Sequence, residues 1–94
     1  MVTYIVLWKF TDDGARNIKH TTGRSEVFKA QAEELGVHVK DYYWTFGGYD
    51  GVVTVEAADD ESVVRLILLV CSLGSVHAET LRAFTQDEID RILS

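Results

Sequence analysis

Cysteine is scarce in this chain, since Cys71 is the only one among its 94 residues. A single thiol cannot form a disulfide within the chain, which fits a reducing compartment. Cys71 lies in an apolar segment without a histidine or a basic residue beside it. We therefore interpret it as a small buried hydrophobic side chain, with a reactive thiol as the alternative.

Long hydrophobic runs are also missing. The longest unbroken apolar run extends from Leu66 to Cys71, which is far too short to span a bilayer. Near the start of the chain, Thr3, Tyr4 and Lys9 interrupt the apolar stretch, so it lacks the pattern of a secretory leader. We therefore expect a cytoplasmic protein with no membrane partner.

Positive charge is in short supply as well. The chain has 9 basic and 15 acidic residues, which gives a formal net charge of −6. Such a chain would repel the phosphates of a nucleic acid, so we expect no nucleic-acid partner. What is present, 47% hydrophobic and 26% charged residues, is usual for a folded globular protein. The length predicts one domain, residues 1–94.

Hydrophobic periodicity predicts alternating strands and helices along the chain. The predicted strands are Val2–Phe10, Val37–Phe46, Val52–Ala57 and Val76–Phe84. The first predicted helix is short and extends from Thr11 to about Lys19, and the second is capped by Thr21 and ends at Leu35. The third begins at Asp59 and has its body at Val63–Cys71, and the C-terminal helix begins with a capping box formed by Thr85 and Glu88. Gly36 and Gly74 are placed to end the second and third of these helices.

The order β-α-β-β-α-β predicts the split βαβ, or ferredoxin-like, arrangement: an α+β fold with an antiparallel sheet and helices on one face. The other sheet face should then be polar if water covers it. Both faces of the first strand are apolar, with Val6 and Trp8 on one side and Ile5 and Leu7 on the other. Two copies packed sheet to sheet would cover the second face, so we predict a homodimer of the dimeric α+β barrel type.

The third predicted helix gives a further argument for assembly. Eight of the nine residues from Val63 to Cys71 are apolar. A helix with this composition is buried nearly all round, and a monomer of this size cannot bury an outer helix in that way. The composition therefore favours a homo-oligomer, including assembly beyond a dimer.

Motifs distributed over the whole chain support this fold. They are Thr3-Tyr4-Ile5-Val6-Leu7 with Phe10-Thr11; Gly14, Ile18, Lys19, Arg24 and Phe28; Tyr43-Trp44-Thr45, Gly47, Tyr49-Asp50 and Val55-Glu56-Ala57; and Ser72-Leu73-Gly74 with Glu79-Thr80-Leu81-Arg82-Ala83-Phe84. In this order they resemble the GYD domain family, small proteins of the dimeric α+β barrel type. The resemblance implies the fold but little about activity, because the wider barrel class includes monooxygenases, isomerases and haem enzymes.

The sequence departs from the family pattern at two places. Thr22 and Gly23 stand where a proline and a polar residue are expected. Gly51 stands where an apolar strand residue is usual, directly after the Gly47-Gly48-Tyr49-Asp50 turn. We expect this second departure to loosen the hairpin between the second and third strands.

Five side chains are candidates for binding a ligand: Tyr49, Asp50, Arg82, Trp44 and His77. A phenol and a carboxylate side by side at a turn could orient a ligand or a proton. The alternative is that Asp50 binds backbone amides of the turn while Tyr49 packs on a neighbour.

Arg82 and His77 each have a structural and a functional interpretation. The planar guanidinium of Arg82 suits a carboxylate substrate, or it forms a buried ion pair with Glu56 or Glu79. Together with His20, His77 is the plausible base near neutral pH. His77 and Glu79 are two residues apart, but two ligands do not make a metal site. We expect neither a metal nor a cofactor.

Aromatic residues are concentrated around the second predicted strand. The set consists of Trp8, Tyr42, Tyr43, Trp44 and Phe46. Packing in the core and at an interface is the common role of such a set. A cleft lined by some of these rings would instead suit a flat apolar ligand.

Two functions remain open from the sequence. We favour a non-enzymatic oligomeric module that binds a small molecule or another protein. The alternative is a cofactor-independent enzyme, monooxygenase- or isomerase-like, acting on a small aromatic or carboxylate compound. The enzyme requires Tyr49, Asp50 and Arg82, together with Trp44 or His77, to converge on one cleft.

Overall fold

The computed structural model describes residues 1–94 and contains one four-stranded antiparallel sheet with helices. The elements are β1 (Val2–Phe10), α1 (Asp12–Arg16), a 3-10 turn (Ile18–His20), α2 (Thr21–Glu34), β2 (His38–Trp44), β3 (Gly51–Ala57), α3 (Asp60–Ser72), β4 (Val76–Ala83) and α4 (Gln86–Leu93). This is the predicted α+β, ferredoxin-like order. None of the helices combines the length and the apolar character that crossing a membrane requires.

The strand order in the sheet is β2-β3-β1-β4, so β2 and β4 form its two edges. Residues directly opposite each other on neighbouring strands point to the same side of a sheet. Val6 is opposite Val53 and Thr80, whereas Leu7 is opposite Val52 and Glu79. We call the side that carries Val6 the helix face and the side that carries Leu7 the open face.

The core lies between the helix face and the helices α2 and α3. Its buried members are Val6, Trp8, Phe28, Ala32, Val37, Val53, Val55, Ala57, Val63 and Leu66. Phe28 and Ala32 form the inner face of α2, and Val63 with Leu66 forms the inner face of α3. Burial of these aliphatic and aromatic side chains is the main force that holds the helices on the sheet.

Side chains and glycines define most helix ends where the sequence places them. The Asp59 side chain accepts a hydrogen bond from Ser62 N at 2.8 Å, which caps α3. Thr85 and Glu88 form the predicted capping box of α4. Gly36 and Gly74 adopt positive φ angles of 73° and 86° at the ends of their helices, as glycine readily does.

The predicted capping role of Thr21 at the start of α2 was wrong. Thr21 does not cap the helix, because it is already the first helical residue after the 3-10 turn. Its Oγ1 instead accepts a hydrogen bond from Trp44 Nε1 at 3.0 Å. This contact ties the start of α2 to the end of β2.

Gly51 corrects the expectation of a loose hairpin. It is buried, it belongs to β3, and it pairs with Trp8 on one side and Trp44 on the other. A Cβ added at this position would overlap the indole ring of Trp8. The glycine therefore lets the large side chain of Trp8 lie directly against β3, so the packing at this end of the hairpin is close. β2 also ends at Trp44, two residues before the predicted Phe46.

We predict that Gly51→Ala destabilises the fold by about 1–3 kcal/mol, because the added methyl group overpacks the space that the Trp8 ring occupies. Denaturant unfolding followed by tryptophan fluorescence measures the change. Gly48→Ala is the matched control, since nothing lies within 4 Å of a Cβ at that position, and we expect a change within about 0.5 kcal/mol. Equal stability of the two variants would contradict the packing argument.

Candidate functional site

Asp50 fastens the β2–β3 turn to the end of β1. Its Oδ2 accepts a hydrogen bond from Phe10 N at 2.8 Å. Its backbone N donates to Trp8 O at 2.8 Å, and its carbonyl accepts from Thr45 N at 2.9 Å. Asp50 thus binds backbone, but the amide that its side chain holds belongs to β1 and not to the turn itself.

Tyr49 reaches from the same turn to the far edge of the sheet. Its hydroxyl donates a hydrogen bond to Glu79 Oε2 on β4. This hydrogen bond to the Glu79 carboxylate, and the negative charge of that carboxylate, raise the pKa of the Tyr49 hydroxyl above its ordinary value. Glu79 is opposite Leu7 and therefore on the open face.

Arg82 lies on the helix face at the β4 edge, opposite Tyr4. The predicted ion pair with Glu56 or Glu79 was wrong, because Arg82 Nε lies 3.6 Å from Asp60 Oδ1 in the first turn of α3. The guanidinium also lies 4.5 Å from the ring centroid of Phe84, a cation–π contact. Both partners of the ion pair are partly exposed, so the pair contributes little to stability.

The two predicted glutamate partners of Arg82 are bound elsewhere. Glu56 forms an ion pair with Lys40 at 3.4 Å. Glu79 accepts the hydrogen bond of Tyr49. Tyr4 shares Asp60 with Arg82, since its hydroxyl donates to Asp60 Oδ1 at 2.8 Å, and this hydrogen bond raises the pKa of Tyr4.

Trp44 and His77 complete the predicted set. Trp44 is on β2, where it packs 5.0 Å from the Tyr42 ring and at 90° to the Trp8 ring. His77 is opposite Lys9 on β4, and therefore on the open face. Because Trp44 and Arg82 lie on opposite edges of the sheet, and His77 lies on its other face, the five candidates share no cleft. This placement gives no support to the enzyme alternative.

A cavity of about 140 Å³ lies between the helix face, α2 and α3, and 13 of its 17 lining residues are hydrophobic. Trp8 and Tyr42 line it, as the aromatic pattern allowed, but none of the five candidate residues does. Of the residues that α2 contributes, Gln31 was not singled out from the sequence, and Arg24 and Phe28 were named only as part of the family pattern. Their i, i+4, i+7 spacing, which marks one helix face, was the available signal.

Two exposed apolar surfaces lie away from this cavity. The open face carries Ile5, Leu7, Val52, Tyr43 and Leu81, with Tyr43 59% and Leu81 42% exposed. The second surface, which we call the α3 patch, consists of Val64, Leu68 and Leu69. These side chains are 48%, 66% and 45% exposed. The expected burial of α3 on all sides is therefore not reached within one chain.

Solved structures place this architecture in a known fold class. Protein TTHA0845 from Thermus thermophilus superimposes with a TM-score of 0.59 at 28% identity, over 90% of this chain and 95% of its own. The structure of FFRP-DM1 gives a TM-score of 0.63 at 23% identity, over 89% of this chain and all of its own. The protein is thus an α+β protein of the ferredoxin-like, dimeric α+β barrel class.

The sequence comparison defines the family within that class. The sequence model of the GYD domain matches residues 4–93, and the chain belongs to the GYD domain family. A relative from Thermus thermophilus is 42% identical over 84 residues, which is 88% of each chain. That relative is named glutamine synthetase and cystathionine beta-lyase binding protein.

Tyr42, a partly buried tyrosine of the cavity wall, gives a pH prediction. Burial raises the pKa of Tyr42 from 10.0 to about 12. The folded chain therefore holds this proton more tightly than the unfolded chain, and the stability from it falls as pH rises from about 10 towards 12.

We expect Tyr42→Phe to remove the highest step in an ultraviolet titration of tyrosine ionisation and to flatten the loss of stability over that pH range. Tyr43→Phe, on the open face, is the control and should leave that step in place. An unchanged titration curve for Tyr42→Phe would rule out the assignment.

Proposed function

We propose that this protein is a homodimeric binding module that docks on another protein, and that a metabolic enzyme such as glutamine synthetase is its partner. The α3 patch is the observation that carries this proposal. The relative at 42% identity supports it, because that protein is named for binding two enzymes. The alignment covers 88% of both chains.

The α3 patch has the composition of a docking surface. Val64, Leu68 and Leu69 are adjacent on the outer side of α3. The charged residues Asp60, Glu61 and Arg65 border the same depression. An exposed apolar patch rimmed by polar residues is typical of protein–protein contact sites. The depression is shallow and open, which suits a protein surface better than an enclosed small molecule.

The open face supports self-association. Ile5, Leu7 and Val52 form the centre of this face, and each is only partly covered within one chain. Some of the polar groups around them are paired, as Lys40 is with Glu56. Stacking two sheets would bury the apolar centre at about 10 Å separation and leave the pairs near the rim.

The C-terminal helix supports the same assembly. No residue of α4 is buried, although its first turn is well capped. Ile89, Ile92 and Leu93 are all exposed. An amphipathic helix whose apolar side faces water gains stability when a second copy covers that side.

The five candidate ligand residues take subordinate places in this proposal. Tyr49 and His77 belong to the open face or its border and would lie near the dimer contact. Arg82 keeps a partly exposed guanidinium beside Phe84, where it could contact an acidic group of a partner. Trp44 would have a packing role in the aromatic cluster, and Asp50 would hold the β2–β3 turn in place.

The dimer is tested with Leu7→Glu. We expect light scattering to give about twice the chain mass of 10.6 kDa for the wild type and the chain mass for the variant, because the new carboxylate faces Glu79 and would be buried without a partner. Ala30→Glu, on the exposed side of α2, is the matched control and should remain a dimer. A monomeric wild type at micromolar concentration would overturn this part of the proposal.

The partner surface is tested with Leu68→Glu. Biolayer interferometry against glutamine synthetase from the same source should show binding by the wild type and a loss of about 30-fold or more for the variant, the effect of removing a central interface residue. Leu68→Glu should remain dimeric, and Ala30→Glu should bind normally. The proposal fails if the wild type does not bind, or if Leu68→Glu binds as well as the wild type.

A further inference from the structure

Two residues that line the cavity, Trp8 and Gln31, each carry a buried polar atom without a partner. Trp8 is 5% exposed, and its Nε1 donates no hydrogen bond. Gln31 Oε1 is likewise buried and accepts none. Both side chains belong to the wall of the same cavity. Unpaired buried donors and acceptors are rare in folded proteins, so each of these two atoms calls for a partner. A molecule in the cavity that both side chains line is the partner for which the structure has space.

The remaining wall favours an apolar, uncharged occupant. Arg24 is the only charged residue that lines the cavity. Its guanidinium already donates to Asn17 O at 3.0 Å and to Gly14 O at 3.2 Å. The rings of Phe28 and Tyr42 and several aliphatic side chains form most of the surface. An anion would lose its hydration here and would gain few hydrogen bonds or ion pairs in exchange.

The size of the cavity limits the occupant to a small molecule. Its volume is about 140 Å³, and an apolar cavity of about 150 Å³ is known to admit benzene. Val27 and Leu73 line the cavity and are also 48% and 61% exposed. The cavity therefore opens to solvent between α2 and the end of α3, so a ligand can enter.

We propose that this cavity binds a neutral compound the size of one aromatic ring that carries a single hydroxyl group. The hydroxyl oxygen accepts a hydrogen bond from Trp8 Nε1, and its proton is donated to Gln31 Oε1. The hydrocarbon part fills the space lined by Phe28 and Tyr42. This site is separate from the open face and from the α3 patch, and the inference does not rest on the proposed partner.

Phenol and toluene are the probes, because they match in size and differ in the hydroxyl group. The readout is the indole N–H signal of Trp8 in ¹⁵N NMR spectra of the full chain. Trp44 is the only other tryptophan, and the Trp44→Phe variant assigns the two signals. We expect phenol to shift the Trp8 signal saturably.

Gln31→Leu removes the acceptor while keeping similar volume. We expect it to weaken phenol about fivefold, the effect of one lost hydrogen bond, and to leave toluene unchanged or tighter. Ala78→Leu, at the cavity wall opposite Trp8, fills the space and should abolish the response to both probes. If Ala78→Leu does not fold, the comparison of the two probes in Gln31→Leu still decides the question.

Three results would each overturn the proposal. The first is no saturable shift with phenol. The second is equal weakening of phenol and toluene by Gln31→Leu, since the hydroxyl would then have no role. The third is a water molecule that stays in contact with the Trp8 indole N–H at saturating phenol, because water alone would then satisfy the two atoms.

Discussion

The close approach of Trp8 to Gly51 is the contact on which the rest of this structure depends. The indole occupies the space that any side chain at position 51 would need. It packs edge-on against Phe10 at 5.3 Å between ring centroids and lies 5.9 Å from Tyr42, so it joins the centre of the sheet to the aromatic cluster beside α2. The backbone at the same place accepts a hydrogen bond from Asp50 N. The side chain of Trp8 thus packs in the core, and its backbone carbonyl holds the β2–β3 turn.

The turn owes its position to that anchor. Asp50 is bound on both its backbone N and its side chain to the end of β1. The neighbouring Tyr49 is therefore directed to Glu79 on β4. The sequence marks this turn through its glycines, and the structure explains why the residues between them are a phenol and a carboxylate. They link β2, β3, β1 and β4 at one end of the sheet.

Local sequence patterns were sufficient to predict the strands and helices. They were insufficient to predict the contacts between these elements. Hydrophobic periodicity defined the strands and the helices, because it depends on neighbours within a few residues. The partner of Arg82 depends on the register of β4 and on the start of α3, and Asp60 is 22 positions away in sequence. The role of Gly51 depends likewise on its pairing with Trp8. Neither contact leaves a local signal, so both were misjudged.

The same difference between local patterns and contacts between elements applies to the cavity and the exposed surfaces. The concentration of aromatic residues around β2 indicated a packing role, which Tyr42 has beside Trp8 and Phe28, whereas Phe46 is exposed. The two unpaired polar atoms belong to Gln31 on α2 and Trp8 on β1, and only the packing of the helix on the sheet brings these two residues to one cavity. Composition alone identified α3 as too apolar for one chain, and it could not say which side would stay exposed.

The unusual composition of α3 follows from the number of surfaces that one helix supplies. Val63 and Leu66 face the core and are fully buried. Ile67 and Val70 form part of the cavity wall. Leu68 and Leu69 face outward in the α3 patch. A helix that packs on a sheet needs one apolar stripe, and a helix that also borders a cavity and carries an exposed apolar patch has apolar residues on nearly every side. The apolar run is thus accounted for by three neighbouring surfaces, and a polar substitution at Leu68 affects the outer surface while the core and the cavity wall keep their residues.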